Sequence, residues 1–198
     1  MVSQQLLRSL VWMDYRLAIL FTVILPLVLL VWALVKRVDA MQRLLIIYWR
    51  VASLLAITVY LMIGGFPFSF LVSTLARVLI PISLWFWVDL NEEIDEQKRS
   101  PLKLAFTSWR WAVTVYCILG VLASLPFLQC AFSPEILSTP FCQVWLDAPI
   151  GFKNVFHPKY TTGFLGFLGI FTLIIYVLYL GYFVLFRLGK QGRIASEQ

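Results

Sequence analysis

Polar residues divide this chain into long apolar runs. Five of them come close to the about 20 apolar residues a helix needs to cross the hydrocarbon core. They are Leu17–Val35, Leu44–Ile63, Ser69–Leu90, Leu104–Ser124 and Gly163–Phe186. None alternates with a period of two, and each is too long for a barrel strand. Backbone polar groups in lipid have to be satisfied within their own element, so the runs predict helices. The expected fold is all-α: a polytopic helical membrane bundle of five spans, one domain over residues 1–198.

The stretches between the runs complete the outline. Residues 3–15, "SQQLLRSLVWMDY", place Leu6, Leu7, Leu10, Val11 and Asp14 toward one side. This predicts a short amphipathic helix lying on the membrane surface before the first span. "GGFPF" is short enough to close spans two and three into a tight hairpin. Ser100 and Pro101 suit the cap and first position of span four. Residues 125–162 hold five of the nine prolines and many aromatics. A long, aromatic-rich connection of this kind predicts a folded cap over the bundle rather than disorder.

Composition agrees with this outline. The chain is 61% hydrophobic and 13% charged, with a mean hydropathy of +0.87. A soluble domain of this size cannot bury such an excess. The net charge of +6 does not point to nucleic acid, because the basic residues are scattered around the apolar runs. Lys36, Arg37, Arg43, Lys98, Arg99, Lys103, Arg187, Lys190 and Arg193 fall on one side of the predicted spans. Arg8, Arg16, Lys153 and Lys159 fall on the other. Basic residues concentrate on the cytoplasmic side. The expectation is a cytoplasmic C-terminus and a non-cytoplasmic N-terminus.

Cys130 and Cys142 share the long connection on the non-cytoplasmic side, where a disulfide is chemically allowed. Two unlinked thiols are the other reading. Cys117, inside a span, reads as a small apolar filler.

Arg77 is the residue that most needs explaining. It lies mid-span in "STLARVLIP", and no Asp or Glu occurs between Asp39 and Asp89 or within the predicted first span. A charge at that depth costs about 2.5–3.5 kcal/mol even on lenient scales. The expectation is that Arg77 uses neutral acceptors, a water-filled cleft or a group from outside the chain. Ser73 and Thr74 on its own helix are candidates, as are Ser53, Thr58 and Tyr60 next door. Pro81, lacking an N–H, frees the Arg77 carbonyl and predicts a kink. Two readings stand: a satisfied arginine bracing the hairpin, or an anion site. Arg50 and Arg110 lie nearer the cytoplasmic ends, where their side chains can snorkel.

Four further features carry weaker signals. Gly163, Gly166 and Gly169 form a small-residue stripe that suits close packing of another span or a partner subunit. Trp32, Trp49, Trp85, Trp87, Trp109 and Trp111 read as an interfacial belt, or as a docking surface for a pigment, quinone or partner helix. Asp89, Glu92, Glu93 and Glu96 share a helical face and read as partners for Lys36, Arg37 and Arg43, with a divalent cation as the alternative. His157, the single histidine, reads as a surface loop residue rather than a haem or chlorophyll ligand.

The strings "DYRLAILFTVILPLVLLVWA", "RLLIIYWRVASLLAITVYLMIG" and "ARVLIPISLWFWVDLNEEI" resemble an integral membrane family of cyanobacteria of unknown function. The resemblance implies a thylakoid or plasma membrane, and in a thylakoid the Cys130–Cys142 loop would face the lumen. It brings no catalytic residues. No catalytic set, metal motif or phosphate loop is legible. The function expected is a non-enzymatic accessory, assembly or stabilising factor of a larger membrane complex, photosynthetic by resemblance. The alternative is a small transporter or channel component with Arg77 as its anion-binding element. Arg77, Arg50, Ser73, Thr74, Gly163, Gly166 and Gly169 are the candidate contact residues. Membrane lipids and a protein partner are the expected company. No cofactor is assigned, and a bound lipid or pigment is left open.

Overall fold

The computed structural model describes residues 4–182. Positions 183–186 of the predicted last span, and the basic residues Arg187, Lys190 and Arg193, lie outside the described residues, as does Ser3. Within them the chain is an all-helical bundle. Four helices are long and apolar enough to cross a membrane, and a bent pair makes a fifth if it counts as one span.

The first helix, α1 (Gln4–Lys36), runs unbroken for 33 residues. This corrects the expected surface helix: Gln4–Ala18 does not lie apart but extends the first span. No Gly or Pro precedes Pro26 to stop it. At 1.5 Å per residue α1 is about 50 Å long, well beyond the about 30 Å hydrocarbon core. One face faces the core throughout. Val11, Thr22, Pro26, Leu29 and Ala33 are buried along it at spacings that keep one helical side inward.

Pro26 shapes the middle of α1. Ahead of it Ile19–Ile24 winds as a π-helix, in which the Leu25 N–H returns to the Leu20 carbonyl. Pro26 has no N–H to return, so the carbonyls of Phe21 and Thr22 need other donors. The rest of the bundle provides them. The Trp109 Nε1–H donates to Phe21 O at 2.9 Å and the Tyr48 hydroxyl donates to Thr22 O at 2.8 Å. Trp109 is therefore a buried core residue rather than part of an interfacial belt.

Next come α2 (Asp39–Ile63) and α3 (Ser69–Trp85), joined by the tight turn that "GGFPF" predicts. Gly65 takes φ +70 in that turn, a left-handed conformation that glycine adopts without penalty. The helix α3 continues through Pro81 without a break. The break falls at Phe86–Trp87, where the chain bends by 55° into α4 (Val88–Glu96). Asn91 stabilises the bend by donating to the freed carbonyls of Leu84 and Trp85 at 3.2 and 3.4 Å. Arg110 in turn donates to Asn91 Oδ1 at 2.5 Å and lies 4.2 Å over the Trp85 ring. It is 3% exposed, so it does not snorkel but fastens the bend from within. On the outer surface Arg43 meets Glu93 at 3.4 Å, an exposed pair of the kind expected for the acidic run.

The helix α5 (Pro101–Ser124) starts as its sequence predicts, with the Ser100 side chain accepting from the Lys103 N–H. Beyond it the chain forms a 3-10 turn (Leu125–Ala131), α6 (Pro134–Leu137), α7 (Pro140–Gln143), a second 3-10 turn (Val144–Leu146) and α8 (Asp147–Phe156). A disulfide joins Cys130 and Cys142, whose Cα atoms are 6.0 Å apart. Both sulfurs are buried with Phe127, Leu137, Leu146, Met62 and Phe70, which ties this region to the hairpin. Arg8 pairs with Asp147 at 2.9 Å and brings α8 onto α1.

The last helix among the described residues, α9 (Thr162–Tyr182), packs along α2. Gly166 faces Gly64 so closely that an added Cβ would sit 2.8 Å from its Cα. Gly169 faces the Leu61 backbone at a similar 3.0 Å. Two members of the stripe thus serve packing within the chain and are not free for a partner subunit. Gly163 has open space around it.

Candidate functional site: a buried ion pair beside a cleft

The acidic partner of Arg77 is Asp14. The Arg77 Nη2 donates to Asp14 Oδ2 at 2.5 Å, and Nη1 donates to the Gly120 carbonyl at 3.1 Å. The other carboxylate oxygen accepts from the Tyr116 hydroxyl at 2.9 Å. Each oxygen of Asp14 thus has its own donor, from α3 and α5 respectively. The rings of Tyr116 and Trp145 both lie 6.0 Å from the guanidinium carbon. The side chains of Arg77 and Asp14 are 7% and 22% exposed. The expectation that no acidic partner reaches Arg77 is therefore corrected, while the Gly120 carbonyl is a neutral acceptor of the kind expected. The polar first turns predict a surface position for Asp14, and the continuity of α1 brings it inward instead.

The geometry reconciles the pair with a membrane. Arg77 is eight residues from either end of α3, about 12 Å at the helical rise. Asp14 is about 33 Å along α1 from Lys36, close to one full hydrocarbon thickness. The long arginine side chain therefore reaches from mid-helix toward the end of the bundle that carries residues 125–161. Gly120 permits the approach: a Cβ there would lie 2.8 Å from Arg77 Nη1.

The other candidate contact residues fare differently. Thr74 donates to Phe70 O and meets Ser124 at 3.3 Å, and neither it nor Ser73 bonds to Arg77. Ser53 and Thr58 donate to Arg50 O and Leu55 O on their own helix. Arg50 is exposed. His157 is half-buried rather than a free surface residue: its Nε2 lies 3.0 Å from the Tyr60 hydroxyl, among Phe152 and Tyr160.

Beside the ion pair a cleft of about 490 Å³ runs between α1 and α2. Its walls are mostly apolar, from Val11 to Val23 on α1 and from Trp49 to Met62 on α2. Arg77 and Ser73 form part of its floor, and Ala148, Pro149, Phe152 and Phe156 of α8 cover one end. The volume falls within the range of small-molecule sites. Among the described residues no three metal-binding side chains converge.

The chain belongs to the family described as protein of unknown function (DUF3177), whose match covers residues 8–196. No curated protein and no solved structure matches it.

Proposed function

We propose that the protein is a non-enzymatic accessory component that helps assemble or stabilise a larger membrane complex, a photosynthetic one by the resemblance of its first hundred residues. The observation that carries this reading is the closed polar network of Asp14, Arg77, Tyr116 and Gly120. Its charges neutralise each other inside the chain and fasten three helices into one body. A rigid body with apolar flanks suits lateral contact with other membrane subunits. Phe164, Phe167, Phe171 and Ile174 on the outer side of α9 are exposed and available for such contact. In this reading there are five spans, the bent α3–α4 pair being one. The N-terminus and the disulfide-bearing region are non-cytoplasmic, as the basic-residue bias indicates.

Gentle solubilisation followed by native mass spectrometry tests this. A stoichiometric partner supports the reading, and recovery of the chain alone counts against it.

A second reading has one observation in its favour: Arg77 and Asp14 both line the cleft. A transporter component would use the pair as a switchable anion-binding element. Arg77→Gln would then abolish flux in liposomes while the folded chain survives. Unchanged flux excludes that role.

A further inference from the structure

The geometry points to the cleft as the seat of one acyl chain of a diacyl membrane lipid, with the ester carbonyls at the Arg77–Trp145 end. Three observations converge on this occupant.

The first is access. Ile19, Val23, Ala56 and Phe156 line the cleft and are exposed, so it opens sideways between α1 and α2. What lies beside those residues in a membrane is hydrocarbon. A water-borne solute would not meet this mouth.

The second is length and depth. Val11 to Val23 on α1 spans about 18 Å at the helical rise. Half of the hydrocarbon core is about 15 Å. The cleft thus runs from the end of the bundle carrying α8 to about mid-membrane, which is the extent of one chain in one leaflet. Its walls are apolar over most of this length.

The third is the chemistry of the end beside the ion pair. Arg77 and Asp14 cancel each other there, so the wall offers no net charge to an ionic head. The Trp145 Nε1–H is buried beside the pair with no acceptor among the described residues. An N–H without an acceptor in a low-dielectric site carries a desolvation cost that a carbonyl relieves. A lipid whose chain fills the cleft holds its ester carbonyls at this level, at the edge of the hydrocarbon, while its head remains outside.

The experiment is native mass spectrometry of the full chain purified from its membrane, with extraction and identification of any bound molecule. The expected result is one diacyl lipid per chain that survives detergent exchange. Ala56→Phe, which fills the cleft from an exposed wall, should cut this occupancy at least tenfold while the protein stays monodisperse. Trp145→Phe removes the N–H donor together with part of the ring and should weaken retention by about two- to tenfold. If Ala56→Phe fails to fold, Val23→Phe fills the cleft from the opposite wall and is read in the same way. Equal lipid retention in a folded, filled variant overturns the proposal. So does a chain that carries no lipid, or one whose retained occupant is a quinone, a pigment or a peptide segment.

Discussion

Asp14 on the first helix and Arg77 on the third form a buried ion pair with 2.5 Å between Nη2 and Oδ2. They are 63 residues apart. The pair turns the costliest residue of the bundle into its main polar fastening. Around it, the Tyr116 hydroxyl donates to the second carboxylate oxygen and the Gly120 carbonyl accepts from the second guanidinium nitrogen.

Gly120 is the residue that makes room for this fastening. Gly120→Ala would place a methyl 2.8 Å from Arg77 Nη1. The guanidinium is held on its other side by Asp14, so it cannot swing away freely. The expected loss is about 1–3 kcal/mol. Denaturation in mixed micelles checks it, and wild-type stability would show that the guanidinium has slack.

The seam between α9 and α2 depends on close backbone approach. Gly166→Val brings a branched side chain against the Gly64 Cα, which cannot rotate aside. Separation of the helices should cost about 1–3 kcal/mol. Cross-linking between cysteines introduced at Leu61 and Ile170 should fall in parallel. Gly163→Val, facing open space, should leave both measurements unchanged.

The π-helix ahead of Pro26 predicts a coupled pair of donors. Tyr48→Phe and Trp109→Phe each strand a carbonyl on α1. Tyr48→Phe should cost about 1 kcal/mol, in the range of hydrogen bonds measured within membranes, and Trp109→Phe more, because it also leaves a gap in the core. The two rings touch edge to face at 5.1 Å, so the double variant should depart from additivity. Strict additivity would mean that the two donors act independently.

Cys130 and Cys142 should resist thiol reagents until the protein is reduced. Replacing both by serine should lower stability by about 3 kcal/mol, the usual scale for closing a loop of this size. Mass-tag labelling without reduction reads the bond directly. Full labelling of both cysteines would contradict it.

Much of this architecture was legible in the residues. The apolar runs, the "GGFPF" hairpin and the Ser100–Pro101 helix start all follow from local chemistry. The missed relationship, Asp14 with Arg77, also left a trace. Val11, Asp14, Ala18, Thr22, Pro26, Leu29 and Ala33 recur every three or four residues without a helix breaker before Pro26. That single stripe marks Asp14 as inward-facing and continuous with the span. Hydropathy hid it, because the polar first turns look like a surface helix.

Other features could not be read locally. Pro81 and Pro26 look alike as prolines in apolar runs, yet only Pro26 lies beside a change of helix register. The bend at Phe86–Trp87 depends on Asn91 and Arg110, whose meeting is a matter of tertiary packing. The tryptophans divide in the same way. Trp109 is buried to supply a donor and Trp111 remains exposed, although they are two residues apart. The cleft arises because residues on α1 and α2 stand apart beneath α8, which no one-dimensional pattern encodes.

Neutralisation of Arg77 from within the chain is measured most directly by a double-mutant cycle. Asp14→Leu, Arg77→Met and the double variant would be unfolded side by side in mixed micelles. Each single variant leaves one buried charge unpaired and should lose about 3–5 kcal/mol. The double variant removes both charges and should lose less than either single one. Losses that add to within about 0.5 kcal/mol would show the two residues to be independent and would contradict the account.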